Sequence, residues 1–460
     1  MDRDYEVYCL VDPIFYDSPL RASWDNKEFT AAKSVPGGWA RHDFEDWRAL
    51  QPVGVELPKQ GWKVHVSACL SNADAILSAV WEYCVPRRIP FKFIRNQPLL
   101  LLRNAKNASR AASGKFVTIY PANEAQLDAV CRELGEALAG QEGPYILSDL
   151  RLGAGPLFVR YGGFAERWCV GPGGEQVLAI EDSGGALVPD RRTPTFQPPA
   201  WVTLPPFLEP HLAARNGATV DEFPFHITAA LHFSNAGGVY AGVERDTGRP
   251  LVIKEARPHA GLTFDGADAV ARLVRERDIL GKLAGLACVP AVRGFFQVGE
   301  HHFLAIDRIE AKPLRRLIVA RYPLILPEAG AAEVAAYTDW AVSMYRQVEE
   351  AVSSVHRRGV VIGDLHPYNI LVRSDGSVAL IDFEVAAEAS ERRRPALGAP
   401  GFGARGAEGF DIDRYALASL ALFFFLPLTA LVSLDPAKAT QLADEIEDLF
   451  PTPAGFLSEA

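Results

Sequence analysis

Ile362-Gly363-Asp364-Leu365-His366-Pro367-Tyr368-Asn369-Ile370-Leu371 decides how the second half of this chain is read. Asp364 and Asn369 stand in a D-x-x-x-x-N arrangement, and Asp382-Phe383 follows 13 residues after Asn369. Phosphoryl transfer asks little covalent chemistry of a protein. It needs metal ions, positioned phosphates and an oriented hydroxyl. A loop carrying one Asp and one Asn, followed by an Asp on the next hairpin, meets that need. Each of these residues taken singly is an ordinary turn residue. Their order and spacing, together with the residues upstream, make the pattern specific.

Upstream, Leu251-Val252-Ile253-Lys254 is an apolar strand that ends by presenting one ammonium. Before it, Asn235-Ala236-Gly237-Gly238-Val239-Tyr240 opens an apolar strand with a Gly-Gly turn, which lets backbone approach phosphates closely. The periodicity of 269–283 predicts a helix carrying Glu276, positioned to pair with Lys254. From about Phe223 onward the chain resembles protein-kinase-like enzymes. The resemblance implies that Gly237 and Gly238 line the nucleotide, Lys254 holds its phosphates and Glu276 orients Lys254. It makes Leu304–Glu310, including Asp307, the hinge for the base. Asp364 would accept the substrate hydroxyl proton, and Asn369 and Asp382 would bind Mg²⁺. Three departures stand out. Gly363 replaces the usual Arg before the catalytic Asp, which predicts activity without loop phosphorylation. Glu384 replaces the Gly of the metal-binding turn, and His366 the common Lys.

In the first half, strand alternation along Gly61-Trp62-Lys63-Val64-His65-Val66-Ser67 puts Lys63 and His65 on one face. A lone K-x-H strand is commonly just a polar strand face. Here, however, Lys92 lies among apolar neighbours in Pro90–Ile94, Lys115 starts 115–120, and Arg151 and Arg160 end further segments. Five cations and a His at predicted strand ends suit a pocket for phosphate. β-Elimination from a phosphorylated Ser or Thr needs a base, an acid and cations. Apolar flanks and neighbouring cations favour a neutral Lys92 as base. A protonated His65 would be the acid, with Lys63, Lys115, Arg151 and Arg160 gripping the phosphate. Strands are expected at 62–68, 91–94, 115–120, 145–147 and 157–161, with helices at 74–83 and 123–139 and Asn123 as an N-cap. This is an α+β pattern.

The composition bounds the alternatives. At 460 residues the chain is too long for one core. Its 47 basic and 57 acidic residues give a net charge of −10, which argues against a basic nucleic-acid binder. None of the six cysteines forms a C-x-x-C pair or sits at zinc-ligand spacing, so reduced thiols of a cytoplasmic protein and no zinc are expected. The opening Met1-Asp2-Arg3-Asp4-Tyr5 lacks the basic start and apolar core of a signal peptide, so none is expected. The uncharged run Tyr415–Leu434 contains Pro427 and falls where a kinase C-lobe keeps its buried central helix, so no membrane span is expected. A Gly- and Pro-rich stretch between about Gly171 and Pro210 reads as an interdomain connection. The expected domains are a lyase-like 1–190, a Pro-rich linker 191–222 and a kinase-like 223–460.

With both halves in view, the chain resembles the lyase–kinase portion of class III lanthipeptide synthetases. Its opening, Tyr5-Glu6-Val7-Tyr8-Cys9-Leu10-Val11-Asp12-Pro13-Ile14-Phe15-Tyr16-Asp17, is similar to theirs. The resemblance implies a phosphothreonine-lyase-like domain followed by a bilobal kinase-like domain, using ATP or GTP and Mg²⁺. The substrate would be a precursor peptide, whose Ser and Thr are phosphorylated and then converted to dehydroalanine and dehydrobutyrine. The family's cyclase would be missing, in a truncated or naturally cyclase-less form, or would act as a separate partner. Two alternatives are a kinase for another protein or small molecule, with a non-catalytic recruiting domain, and a pseudokinase scaffold that binds a leader peptide.

Overall fold

A computed structural model of the chain describes residues 28–32, 34–217, 223–326, 329–391, 398–403 and 406–459. The Tyr5–Asp17 motif and Cys9 lie outside them. The N-terminal half is built on β1 (Trp39–Phe44), β2 (Trp47–Pro52), β3 (Gln60–Val66), β4 (Phe91–Ile94), β5 (Val117–Ile119), β6 (Leu150–Arg151) and β7 (Leu157–Gly163). These form one antiparallel sheet in the order β1-β2-β4-β5-β3-β7-β6. Val64, Val66, Phe91, Phe93, Val117 and Ile119 alternate onto one face, where they form a core with helix α1 (Ala73–Cys84). Helix α2 (Gln97–Asn104) follows β4. Helix α3 (Glu124–Ala129), continued by a π-turn at Val130–Leu134, adds Leu127, Val130 and Leu134 to that core. The Asn123 side chain caps α3, accepting from the Gln126 N–H at 2.9 Å.

Residues 145–147 are a loop instead of a strand. Their backbone finds partners elsewhere: the Tyr145 carbonyl accepts from Arg257, and the Ile146 carbonyl accepts from the Asp149 N–H. After a small sheet of β8 (Trp168–Val170), β9 (Gln176–Glu181) and β10 (Leu187–Pro189), the stretch read as a linker packs on the N-terminal core. Phe196 stacks on Trp62, Leu208 is fully buried, and Val202, Leu204 and Leu212 join them, the last from helix α4 (Glu209–Asn216). Proline forbids a continuous helix or an inner strand, but it leaves an extended chain free to bury apolar side chains. As far as Gly217 the segment is therefore structurally part of the N-terminal half.

The C-terminal half opens with a five-stranded antiparallel sheet, β11 (Phe225–Ser234), β12 (Gly237–Glu244), β13 (Pro250–Ala256), β14 (Val292–Val298) and β15 (His301–Asp307), ordered β11-β12-β13-β15-β14. Helix α5 (Ala269–Lys282) packs on it and is capped by Asp268, which accepts from the Ala271 N–H at 2.8 Å. A larger helical lobe follows: β16 (Ala311–Pro313), α6 (Leu314–Arg321), α7 (Ala331–His356), β17 (Val360–Val361), β18 (Ile370–Arg373), β19 (Val378–Leu380), β20 (Ala387–Glu388), α8 (Phe410–Phe425) and α9 (Lys438–Leu449). The uncharged run at 415–434 is not one continuous helix. α8 stops at Phe425 before Pro427, and a 3₁₀ turn spans Thr429–Ser433. α8 buries Ala416, Leu420, Ala421 and Phe424 in the lobe's core, and no helix among the described residues is long and apolar enough to cross a membrane.

Candidate active sites

Two clusters of polar side chains stand out, one in each half. In the C-terminal half, β13 register places Lys254 opposite Val239 of β12, beside the Gly237-Gly238 turn. Lys254 Nζ lies 2.6 and 2.9 Å from the Glu276 carboxylate oxygens and 2.8 Å from Asp382 Oδ1. Burial works against a charged Lys254, but Asp382 and Glu276 outweigh it and hold its pKa above the ordinary value. Asp382 takes a left-handed φ of +68°, and the next N–H, that of Phe383, donates to Glu276. Asn369 Nδ2 donates to the Asp364 carbonyl at 3.0 Å, while His366 Nε2 lies 3.5 Å from Asp364 Oδ2. Asp364 Oδ1 is buried without a partner. The Asp382 carboxylate and the Asn369 amide oxygen are hard donors that fit Mg²⁺.

The loop bearing Asp364 is held from below. Buried Asp413 of α8 accepts from the Ile362 and Gly363 N–H groups at 2.8 and 2.9 Å and lies 2.8 Å from His356 Nε2. Gly363 sits at φ +82°, a conformation that favours glycine over the usual Arg. At Gly237 an added Cβ would collide with the Glu255 carbonyl, so strand packing also demands glycine there. Asp307 departs from expectation. Its carboxylate is taken by Arg293 on the neighbouring strand, with both contacts at 2.6 Å. Its N–H is taken as well, donating to the Ala291 carbonyl at 2.9 Å.

In the N-terminal half the sheet register builds the site. Lys92, Thr118 and His65 are direct neighbours across β4, β5 and β3, and Lys63 faces Arg160 across β3 and β7. Two strand spacings separate Lys92 from His65, about 10 Å between backbones. Lys92 Nζ stands 4.3 Å from the Trp47 ring centroid. Burial, then the positive charges of Arg192 and Arg103, lower its pKa to about 8. Lys63 is pushed well below its ordinary range by burial and by Arg160. His65 Nδ1 contacts the fully buried Asp149 carboxylate. Burial, opposed by Asp149, lowers the His65 pKa to about 4. In the empty site burial thus favours the neutral ring, and the protonated form on which the acid role depends would have to come with substrate.

The structure shows partners within the chain for three of the expected phosphate ligands. Lys115 Nζ is satisfied by the Ala111 carbonyl at 2.9 Å, Ser148 Oγ at 3.0 Å and Asp149 Oδ1 at 3.7 Å, so it braces Asp149. Arg151 points to the domain boundary, where Nη1 meets Glu300 at 2.5 Å and Nε meets the Gly155 carbonyl. Arg160 stays in the cluster but is paired with Asp190 and the Arg191 carbonyl. Sequence reasoning missed Asp149, Asp190 and Arg192. Asp149 lies in a loop two residues before Arg151, whereas Asp190 and Arg192 lie at and beyond the boundary of the supposed linker. Cys69, Glu142 and His259, distant in sequence, also meet within 4.8 Å, although burial pushes the Cys69 thiol up to about 12.

The fold and sites define a two-domain protein with a protein kinase domain behind a mixed α+β domain. Residues 231–404 match the protein kinase domain, and residues 27–218 match the family described as RamC, N-terminal domain. Over all of its length the chain is 51% identical to "Probable SapB synthase" of Streptomyces coelicolor, and it spans 50% of that relative. Its kinase half is 27% identical to the serine/threonine-protein kinase PknD of Mycobacterium tuberculosis, over 36% of this chain and 23% of PknD. It is 31% identical to PknL of Mycobacterium bovis, over 34% of this chain and 35% of PknL. These matches bear out the resemblance to the lyase–kinase portion of class III lanthipeptide synthetases. The chain carries a RamC N-terminal domain followed by a protein kinase domain.

Proposed function

We propose that this chain dehydrates Ser and Thr residues of a ribosomal precursor peptide in two steps, phosphorylation and then β-elimination. The observation that carries the proposal is the pairing, on one chain, of an assembled Lys254–Glu276–Asp382 site with a buried, cation-rich cluster around Lys92 and the His65–Asp149 pair. The nucleotide, ATP or GTP with Mg²⁺, supplies the γ-phosphoryl group. Lys254 orients its phosphates, Asn369 and Asp382 hold the metal, and Asp364 accepts the hydroxyl proton. In the second step Lys92, as the free amine, removes the α-proton. The electron pair forms the Cα–Cβ double bond as the Cβ–O bond breaks, and His65 protonates the departing phosphate. Lys63, Arg160 and Arg192 offset part of the phosphate charge, and the negative charge that remains raises the His65 pKa toward the form that donates. An enzyme that consumes nucleotide and carries free thiols suits the cytoplasm. A cyclase, as a further domain or a separate partner, would add peptide cysteines to the products.

The test follows the mass of a precursor peptide incubated with the chain, nucleotide and Mg²⁺. Transient gain of phosphate followed by net loss of one water is expected. Lys92→Ala should accumulate phosphopeptide, and Asp364→Ala should leave the peptide unchanged. Phosphate that is added and never lost by the intact chain would show a plain kinase. Normal dehydration by Lys92→Ala would remove the lyase assignment.

A further inference from the structure

Glu384, which stands where the metal-binding turn usually has Gly, is enclosed by two cations from different halves of the molecule. Arg272 on α5 reaches it through Nε at 3.2 Å, and Lys106 of the N-terminal domain forms an ion pair with its other oxygen. The three side chains are only 4, 26 and 17% exposed for Arg272, Lys106 and Glu384. Lys106 is held in place by its own backbone. Its N–H donates to the Leu262 carbonyl at 3.2 Å, and the Leu262 N–H donates to Asn104 at 2.8 Å. On the other side its carbonyl accepts from the Asn235 N–H at 3.0 Å, and the Asn235 side chain donates to the Asn104 and Ala105 carbonyls at 3.1 and 2.9 Å. Residues 104–106 thus form a strap. It touches the start of the Gly237-Gly238 turn, the loop leading into α5, and the turn that carries Asp382.

Those three elements must be placed together for phosphoryl transfer. A Glu beside Asp382 adds buried negative charge next to Glu276, and without cations it would repel both carboxylates. Burial opposes the ammonium of Lys106, but Glu384 and then Asp382 raise its pKa, so the charge is present where the turn needs it. Gly363 leaves no Arg to fix the turn through a phosphorylated loop. We propose that Lys106 is a positioning residue for the kinase reaction: from the N-terminal domain it offsets Glu384 and holds the Asp382 turn against α5. The kinase half therefore works only while docked to the N-terminal half. This inference rests on the kinase step proposed above.

The full-length chain tests it, with radiolabelled MgATP and a Ser-containing peptide for transfer, and a synthetic phosphoserine peptide for elimination. Lys106→Met should lower the kcat of transfer about ten-fold or more, because a buried carboxylate loses its partner. Elimination by the same variant should stay within about two-fold of the unsubstituted chain, which shows that the fold is kept. Lys106→Arg should retain most transfer. The double variant Lys106→Met/Glu384→Gly should recover much of the lost rate, since it removes the carboxylate that needs the cation. Wild-type transfer by Lys106→Met, equal loss of both steps, or a double variant no better than the single one would each overturn the role of Lys106. An unsubstituted chain that transfers no phosphate would instead refute the kinase reading itself.

Discussion

At His65 two forces oppose each other, since burial favours the neutral ring and Asp149 favours the charged one. Asp149 also fixes the tautomer: with Nδ1–H donated to its carboxylate, Nε2 is the nitrogen left to exchange a proton. Asp149→Asn should therefore lower the elimination rate by roughly 10²-fold, the scale of general acid–base catalysis, while phosphorylation is unchanged. Separate assays with peptide and phosphopeptide check this. Lys92 gives a second outcome. With a pKa of about 8 in the empty site, it is about half deprotonated at pH 8. A bound phosphate dianion raises that pKa, so binding takes up a proton and affinity falls as pH rises above 8, while elimination, which needs the free amine, speeds up over the same range. Calorimetry of phosphopeptide binding at pH 8 in buffers of different ionisation enthalpy should show this uptake, and Lys92→Met should abolish most of it. The alternation of Lys63 and His65 was legible in the sequence because a strand has period two. Asp149 and Asp190 were not, because a loop residue reveals its partner only once the sheet has folded. The bracing of Asp149 by Lys115 was hidden for the same reason: its neighbours, Ala111 and Ser148, come from loops.

At the scale of elements, register does most of the positioning. One antiparallel row carries Lys92, Thr118 and His65, and a slip of one residue at β4 would turn Lys92 into the core. In the kinase half the equivalent support is α8, whose first turn brings Asp413 under the catalytic loop. Asp413→Ala would leave two backbone N–H groups and His356 without their acceptor in a buried place. It should cost about 2–4 kcal/mol of stability and abolish most phosphorylation. Thermal unfolding and peptide mass measure the two effects, and a variant with unchanged melting and activity would refute this account of the loop. The helices at 74–83 and 269–283 were readable from apolar periodicity, and the Lys254–Glu276 pairing followed from it. The end of α8 was obscured because a run without charge carries no periodic signal, leaving only Pro427 to mark the break. The packing of residues 191–217 was equally hidden. Proline content reports which hydrogen bonds a segment cannot make, and says nothing of the surface that Phe196 and Leu208 bury.

For the molecule as a whole, polar contacts join the two halves at several places, and Arg257 lies at the centre of one. It is only 1% exposed, and it donates to the Tyr145 carbonyl at 2.5 Å and to the Asn235 carbonyl and side chain at 3.1 and 3.2 Å. Asn235 in turn holds the strap at 104–106, and Arg151 meets Glu300 further along the boundary. Interfaces of this kind couple the unfolding of two domains when the contacts are buried and satisfied. The intact chain should therefore melt in one transition by calorimetry. Arg257→Met keeps an apolar side chain of similar length but leaves three buried acceptors without their donor, at a cost of about 2–4 kcal/mol. Its effect should fall on the coupling, so the melt splits in two or broadens, with the kinase-side transition moving to lower temperature. Two well-separated transitions in the unsubstituted chain, or an unchanged single transition in Arg257→Met, would show that the boundary does not bind the halves into one cooperative unit.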